Sequence, residues 1–160
     1  MATNAVLERK GVRTVYITNR GLRDVLTIGR LARAELYNLP PEPQPRPVPR
    51  ELCLVVEARL GADGDRIGAL GAADRARLLA QIRALEPAAV AINLLFSFHD
   101  DADERHIAAW LPEGLIVART SEVLPEYREY ERGIANWLTA WAGPLVAGYL
   151  ERLGRTPLLW

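Results

Sequence analysis

The 160-residue sequence is poor in several residue types. It holds one cysteine, Cys53, one methionine and a single lysine, Lys10. A lone cysteine excludes an intrachain disulfide framework and suits a reducing compartment. Net charge is also missing, because 20 basic residues balance 20 acidic ones. No global field therefore draws the chain to nucleic acid or to an acidic membrane surface. No apolar run is long enough to span a bilayer, and no charged-then-apolar leader opens the chain. These absences point to a cytoplasmic protein with no nucleic-acid and no membrane partner. Phosphate-gripping motifs are absent too: neither G-x-x-x-x-G-K-[ST] nor G-x-G-x-x-G occurs, and no G-x-S-x-G elbow is found.

What is present is an ordinary globular balance. Hydrophobic residues make up 49% and charged residues 25%, enough for one domain with a real core. "RTVYITN", residues 13–19, is β-branched and aromatic and reads as a strand. "GLRDVLTIGRLARAELYNL" follows, with Leu22, Val25, Leu26 and Gly29 at helical spacing. Residues 40–50, "PPEPQPRPVPR", carry six of eleven prolines and are expected to form an extended, packed arm. "LCLVVEARL" reads as a strand, "GADGD" as a turn and "RIGAL" as a return strand. In "AADRARLLAQIRAL", Ala76, Leu79, Ile82 and Leu85 share one helical face. "AAVAINLLFSF" and "GLIVART" read as buried strands, with a short helix, "DADERHIAAWL", between them. A long helix is expected from Pro125 to about Leu153, with a kink at Gly143-Pro144. Strands alternating with helices give an α/β class, a mixed sheet covered by helices.

"SEVLPEYREYERG", residues 121–133, is the densest charged stretch. One reading is structural. Pro125 fits a first helical turn, and Glu126 and Glu129 complement the helix dipole. Tyr127, Tyr130, Ile134, Trp137, Trp141 and Leu145 then form an apolar stripe. The other reading is a cleft lining. "HDDADERH", residues 99–106, offers two histidines and four acids. The seven-residue spacing of His99 and His106 fits an acidic N-terminal turn better than a metal site. "ADGD" opens like a calcium loop but lacks the remaining ligands. Cys53 alternates within a strand and reads as a small core residue.

Several motifs fall in one order: "ATNAVLERKG" at 2–11, "GLRDVLTIGR" at 21–30, "VPREL" at 48–52, "SEVLPEYREYER" at 121–132 and "GPLVAGYLERL" at 143–153. In this the chain resembles the N-terminal region of the hydantoinase/oxoprolinase family, which includes N-methylhydantoinases, 5-oxoprolinases and subunits of acetone and acetophenone carboxylases. The resemblance implies an actin-like (ribonuclease H-like) ATPase architecture, here incomplete. It implies ATP and a divalent metal as cofactors of the full-length enzyme, with none expected for this fragment alone. It also places the family's phosphate turn, D-G-G-T-x-T-D, upstream of the T-N-A motif. Residues 1–160 are thus expected to be a slice truncated at both ends. The expected partner is the remainder of the enzyme or a second subunit, with self-association of the fragment as a further expectation.

The chain departs from the family pattern in two places. Phe96-Ser97-Phe98 and Asp100-Asp101-Ala102-Asp103-Glu104 stand where the family often has H-S-Y and N-P-x-H-E. Thr139 and Trp141 stand at the N and Y positions of N-A-Y. Carried over residue by residue, the resemblance makes Arg128, Glu129 and Arg132 cleft candidates. Thr3 and Asn4 can orient a carbonyl or a phosphate, or cap a helix. Arg23 and Asp24 can contact ligand, or pair with each other. The implied parent function is ATP-dependent hydrolysis of a cyclic amide of the hydantoin or 5-oxoproline type. A noncatalytic interaction module, or a split subunit of a carboxylase-like complex, is the alternative.

Overall fold

The computed structural model describes residue 8, residues 10–30 and residues 46–154. Thr3, Asn4 and the proline-rich stretch 40–45 lie outside them, as does the tail from 155. The expected strand at 13–19 is β1, Thr14–Asn19, buried along its whole length. Of the helical pattern after it, the described residues contain one short turn, α1, Val25–Ile28. Gly29 ends it at φ 57, a left-handed backbone that suits glycine. The end of the proline arm packs: Val48 is buried, and the Pro49 carbonyl accepts the Leu52 N–H at 3.0 Å.

The stretch 52–60 divides into two strands, β2 at Cys53–Val56 and β3 at Arg59–Leu60. β3 pairs antiparallel with β4, Arg66–Gly68, in a separate hairpin. Next come α2, Ala72–Leu85, β5, Ala89–Asn93, and α3, Ala102–Trp110. β6, Ile116–Arg119, leads into a short α4, Thr120–Val123. The last element, α5, Glu129–Gly154, runs unbroken through Pro144. Among the described residues no helix is long and apolar enough to cross a membrane.

The main sheet is parallel throughout, in the order β2-β1-β5-β6. Alternation along its strands feeds two cores. Val15, Ile17, Val90 and Ile92 face Leu78 and Ile82 of α2 and Ile107 of α3. Tyr16, Ala89, Ala91 and Ala118 face Leu26 of α1 and Trp137 and Ala140 of α5. Small alanines on the second face let the long helix approach closely. The chain winds outward from β1 in both directions, so connections fall on opposite faces, as right-handed crossovers require.

Four expectations need correction. The buried face of α2 is Asp74, Leu78 and Ile82, with Leu85 packed beside it. Of the expected row Ile82 and Leu85 face the core, while Ala76 is exposed and Leu79 only half-buried. Asp74 turns inward because its carboxylate accepts the Gly71 N–H at 3.3 Å, and Leu78 and Ile82 follow it at intervals of four. β6 is an edge strand whose Ile116 is exposed, not a buried one. Pro125 precedes α5 by four residues, in the link from α4, because Arg128 at φ 81 breaks the helical path. The apolar stripe holds from Tyr130 to Trp141, while Tyr127 and Leu145 at its ends are exposed.

Candidate functional site

α5 begins beside Asn93, the last residue of β5, and reaches Val12 just before β1. The Asn93 amide donates to the Glu129 carbonyl at 3.0 Å, and the Val12 N–H donates to the Trp141 carbonyl at 3.0 Å. The helix therefore runs antiparallel to the strands and spans the sheet from its C-terminal to its N-terminal end. Arg132 and Asn136, one turn apart, are its two fully buried polar side chains over the C-terminal end.

There they meet a polar cluster. Glu104 of α3 is fully buried. Its Oε1 accepts the Leu94 N–H at 3.1 Å and the Ser97 hydroxyl at 2.8 Å, together with the Thr120 hydroxyl. Its Oε2 accepts the Ser121 N–H at 3.0 Å. Arg132 Nη2 donates to Thr120 Oγ1 at 2.7 Å, to the Leu94 carbonyl at 3.4 Å and to Ser97 Oγ. It lies 4.0 Å from Glu104 Oε1, and the guanidinium carbon stands 5.4 Å from the Phe98 ring centre. Burial lowers the Arg132 pKa from its ordinary value, with Glu104 and Glu129 acting against it. Arginine nevertheless stays charged, so the pair is a buried ion pair relayed through two hydroxyls.

A second group lies alongside. Asn93 Nδ2 donates to Tyr16 Oη at 2.7 Å, and burial pushes the Tyr16 hydroxyl well above its usual pKa. Asn136 Nδ2 donates to the carbonyls of Ile92 at 2.9 Å and Ala118 at 3.1 Å. Asn19 Oδ1 accepts the Leu95 N–H at 2.6 Å, and its amide donates to the Ala58 carbonyl. The loops that follow β1, β2, β5 and β6 are thus tied together at the strand C-termini. In open parallel sheets that is the end at which ligands are received. Two non-glycine residues there hold left-handed backbone, Phe96 at φ 59 and Arg128 at φ 81.

Of the sequence candidates, Arg128, Glu129 and Arg132 come together at this end. Arg128 is exposed, stacks at 5.2 Å on the Tyr127 ring, and gives its carbonyl to the Arg132 N–H at 3.1 Å. Arg23 and Asp24 do not pair with each other. Arg23 Nε donates to the Cys53 carbonyl at 2.9 Å, and Asp24 accepts Arg46 at 3.2 Å. Sequence reasoning missed Glu104, Ser97, Thr120, Asn93 and Asn136. One signal was available: Arg132 and Asn136 interrupt an otherwise apolar helix at a spacing of four. His99 and His106 are both exposed, and among the described residues no three metal-ligating side chains gather.

The residues described here do not fit a nucleotide phosphate. Each long helix N-terminus carries acids, Asp74 on α2, Asp103 and Glu104 on α3, and Glu129 and Glu131 on α5. Glu104 is turned into the buried cluster, and Asp74, Asp103 and Glu131 pair with Arg77, Arg66 and Arg30, so these helix starts are already occupied by the chain's own charges. At the other end of the sheet a cavity of about 590 Å³ opens between Val12, Pro47, Pro49 and the stacked rings of Trp137 and Trp141.

Comparison with known proteins places this architecture. A protein of Methanocaldococcus jannaschii is 34% identical over 84% of this chain and 20% of its own length. Caprolactamase subunit alpha of Pseudomonas jessenii is 28% identical over 96% of this chain. The crystal structure of the ATP-dependent caprolactamase from that organism superposes with a TM-score of 0.84 at 29% identity, over 96% of this chain and 23% of that one. A nucleotide-free acetone carboxylase shares the fold, with a TM-score of 0.78 at 21% identity over 94% of this chain and 24% of that one. The chain spans about a quarter or less of the length of these relatives. Residues 1–114, more than half of the chain, match the hydantoinase/oxoprolinase N-terminal region, and the chain therefore belongs to the hydantoinase/oxoprolinase family.

Proposed function

We propose that this chain is a domain of an ATP-dependent enzyme that opens cyclic amides of the hydantoin or 5-oxoproline type. It would work with the remainder of that enzyme or with a second subunit. The observation that carries the reading is the likeness to an ATP-dependent caprolactamase along almost the whole chain. Caprolactam is itself a cyclic amide. In the whole enzyme ATP with a divalent metal would supply phosphoryl transfer to the amide oxygen, and attack of water or of a partner-supplied nucleophile at the activated carbon would then release phosphate. No step of it is assigned to a residue described here. The part of this chain is to hold the cleft. Arg132 and Glu104 would lock the loops after β5 and β6, and Arg128 and Glu129 would border the opening. Thr3, Asn4, Arg23 and Asp24 are further candidates on the same reading.

Steady-state ATP hydrolysis with magnesium or manganese tests this. The isolated chain is expected to show none, and addition of the remaining enzyme is expected to restore lactam-dependent turnover. Hydrolysis by the chain alone that survives further purification would overturn the division of labour. The second reading, a subunit of a carboxylase-like complex, is favoured by the shared fold with acetone carboxylase. Bicarbonate-dependent rather than lactam-dependent ATP turnover would select it.

A further inference from the structure

A four-stranded open sheet has two edges, and here they are treated differently. In a strand, the N–H and C=O of one residue point to the same side and alternate along the chain. The Val56 carbonyl accepts the Arg20 N–H, which turns Leu54 and Val56 toward β1 and Cys53 and Val55 outward. Both outward carbonyls are met by arginines, Cys53 by Arg23 at 2.9 Å and Val55 by Arg77 at 3.4 Å. Charged side chains laid on an outer edge block pairing with another strand. On β6 the Ile116 N–H donates to the Ala88 carbonyl, so Ile116 and Ala118 face β5 and Val117 faces outward. Among the described residues no hydrogen bond outside the β5 pairing reaches the Val117 N–H or C=O. Ile116 beside it is exposed. Among the described residues, both outward carbonyls of one edge are covered by cations, and the other edge offers an unused acceptor and donor beside the exposed Ile116.

We propose that β6 is an assembly edge. It receives an extended strand from the remainder of the same enzyme polypeptide and continues the sheet by backbone pairing at Val117. This rests on the reading that the chain works within a larger enzyme. The relatives support an occupant of that kind, because they are four to five times as long as the matched region. A second copy of the chain is the weaker candidate. Four residues of edge bury far less than the roughly 1,000 Å² that a specific interface needs, whereas a tethered strand gains from its high effective concentration.

Amide hydrogen exchange separates the outcomes. In the isolated chain the Val117 amide should exchange fast, while Ala118, bonded into the ladder, is protected. In the assembled enzyme Val117 should slow at least tenfold. Val117→Pro removes the outward donor, which proline tolerates at an edge, and gives up part of the Val117 packing on the core. It should leave the isolated chain's melting temperature within a few degrees and weaken assembly at least tenfold. Ile116→Lys, which keeps every backbone group, should act in the same direction if the proline variant fails to fold. Assembly with Val117 still exchanging fast would overturn the edge proposal alone. Protection of Val117 in the isolated chain that fades on dilution would replace the strand with a second copy, and also overturn it. Failure of the chain to join the remaining enzyme at all would overturn the functional reading and this proposal with it.

Discussion

The two ends of the parallel sheet are built by the same helix and have opposite characters. At the C-terminal end α5 delivers Arg132 and Asn136 into a buried polar cluster. At the N-terminal end it delivers Trp137 and Trp141, stacked at 5.3 Å, to the wall of a cavity whose rim also holds Arg13 and Arg46. Four loops are fixed by buried side-chain hydrogen bonds at the first end, whereas at the second the Val12 N–H meets the Trp141 carbonyl and packing shapes much of the rest. Directional bonds hold atoms in one geometry, whereas apolar contacts tolerate sliding. The contrast teaches where this domain invests in accuracy, and that is the end at which parallel sheets receive ligands.

The largest effect should come from removing the centre of the polar cluster. Glu104→Ala leaves Arg132 buried without its counter-charge and strands four donors. Breaking one partner of a buried pair costs roughly 3–5 kcal/mol. Leu138→Ala, at the wall of the cavity, should cost under about 2 kcal/mol, because part of its surroundings is already empty. Denaturant unfolding of both variants checks the order. Equal losses at the two ends would erase the distinction drawn between them.

A smaller loss is expected where helix and cluster touch most closely. A Cβ at Gly133 would sit 2.6 Å from Asn93 Nδ2, 2.7 Å from Tyr16 Oη and 3.0 Å from Leu26 Cδ2. Gly133→Ala should therefore destabilise by about 1–3 kcal/mol through overpacking, although alanine favours a helix by about 1 kcal/mol. Gly148, on the same helix, meets nothing within 4 Å, so Gly148→Ala should stabilise or be neutral. Thermal melts of the two variants should move in opposite directions.

These contrasts also mark what the sequence could and could not show. β1, β5, α2 and α3 stood out because apolar and β-branched runs or helical spacing declare themselves locally. The phase of α2 did not, since Ala76 and Leu78 are both plausible inward residues until the Gly71–Asp74 bond sets the first turn. Glu104 looked like one more acid in a helix N-terminus. Only the fold brings it under Ser97, Thr120 and Arg132, which come from three other segments. The edge position of β6 was equally hidden, because an apolar run does not say how many neighbours a strand has. Arg132 was visible as a candidate through the family motif, but its full burial was not.

Titration should sharpen the comparison more gently. Burial raises the Tyr16 pKa well above 10, and it pushes Cys53 up from 9.0 to about 11. Both groups are neutral when protonated, so the unfolded chain ionises first. Their contribution is complete below about pH 9 and is lost as pH rises toward the folded values. Stability should thus fall between pH 9 and 11 from Cys53 and keep falling above pH 10 from Tyr16. Tyr16→Phe gives up one hydrogen bond, roughly 1 kcal/mol at neutral pH, and should flatten the decline above pH 10 while leaving the cysteine part. An unchanged alkaline slope would mean that Tyr16 is not buried as described.

The smallest expected change separates fold from function at the polar end. Arg128 holds φ 81 immediately before α5, a conformation that costs an L-residue about 1–2 kcal/mol and glycine none. Its side chain is exposed and makes one stacking contact, with Tyr127, which is worth at most about 1 kcal/mol at such a site. Glycine also loses more freedom on folding, by roughly 0.5–1 kcal/mol. Arg128→Gly should therefore be neutral or stabilise by up to about 1 kcal/mol. A residue kept in strain without a packing reason points to its side chain as the purpose. If the proposed function holds, the same substitution should lower lactam-dependent turnover of the assembled enzyme, while Arg128→Lys, which keeps the charge but also the strain, should retain more of it. Unfolding midpoints and turnover measured on both variants decide the matter: full activity in a stabilised glycine variant would show that Arg128 only shapes the entry to the helix.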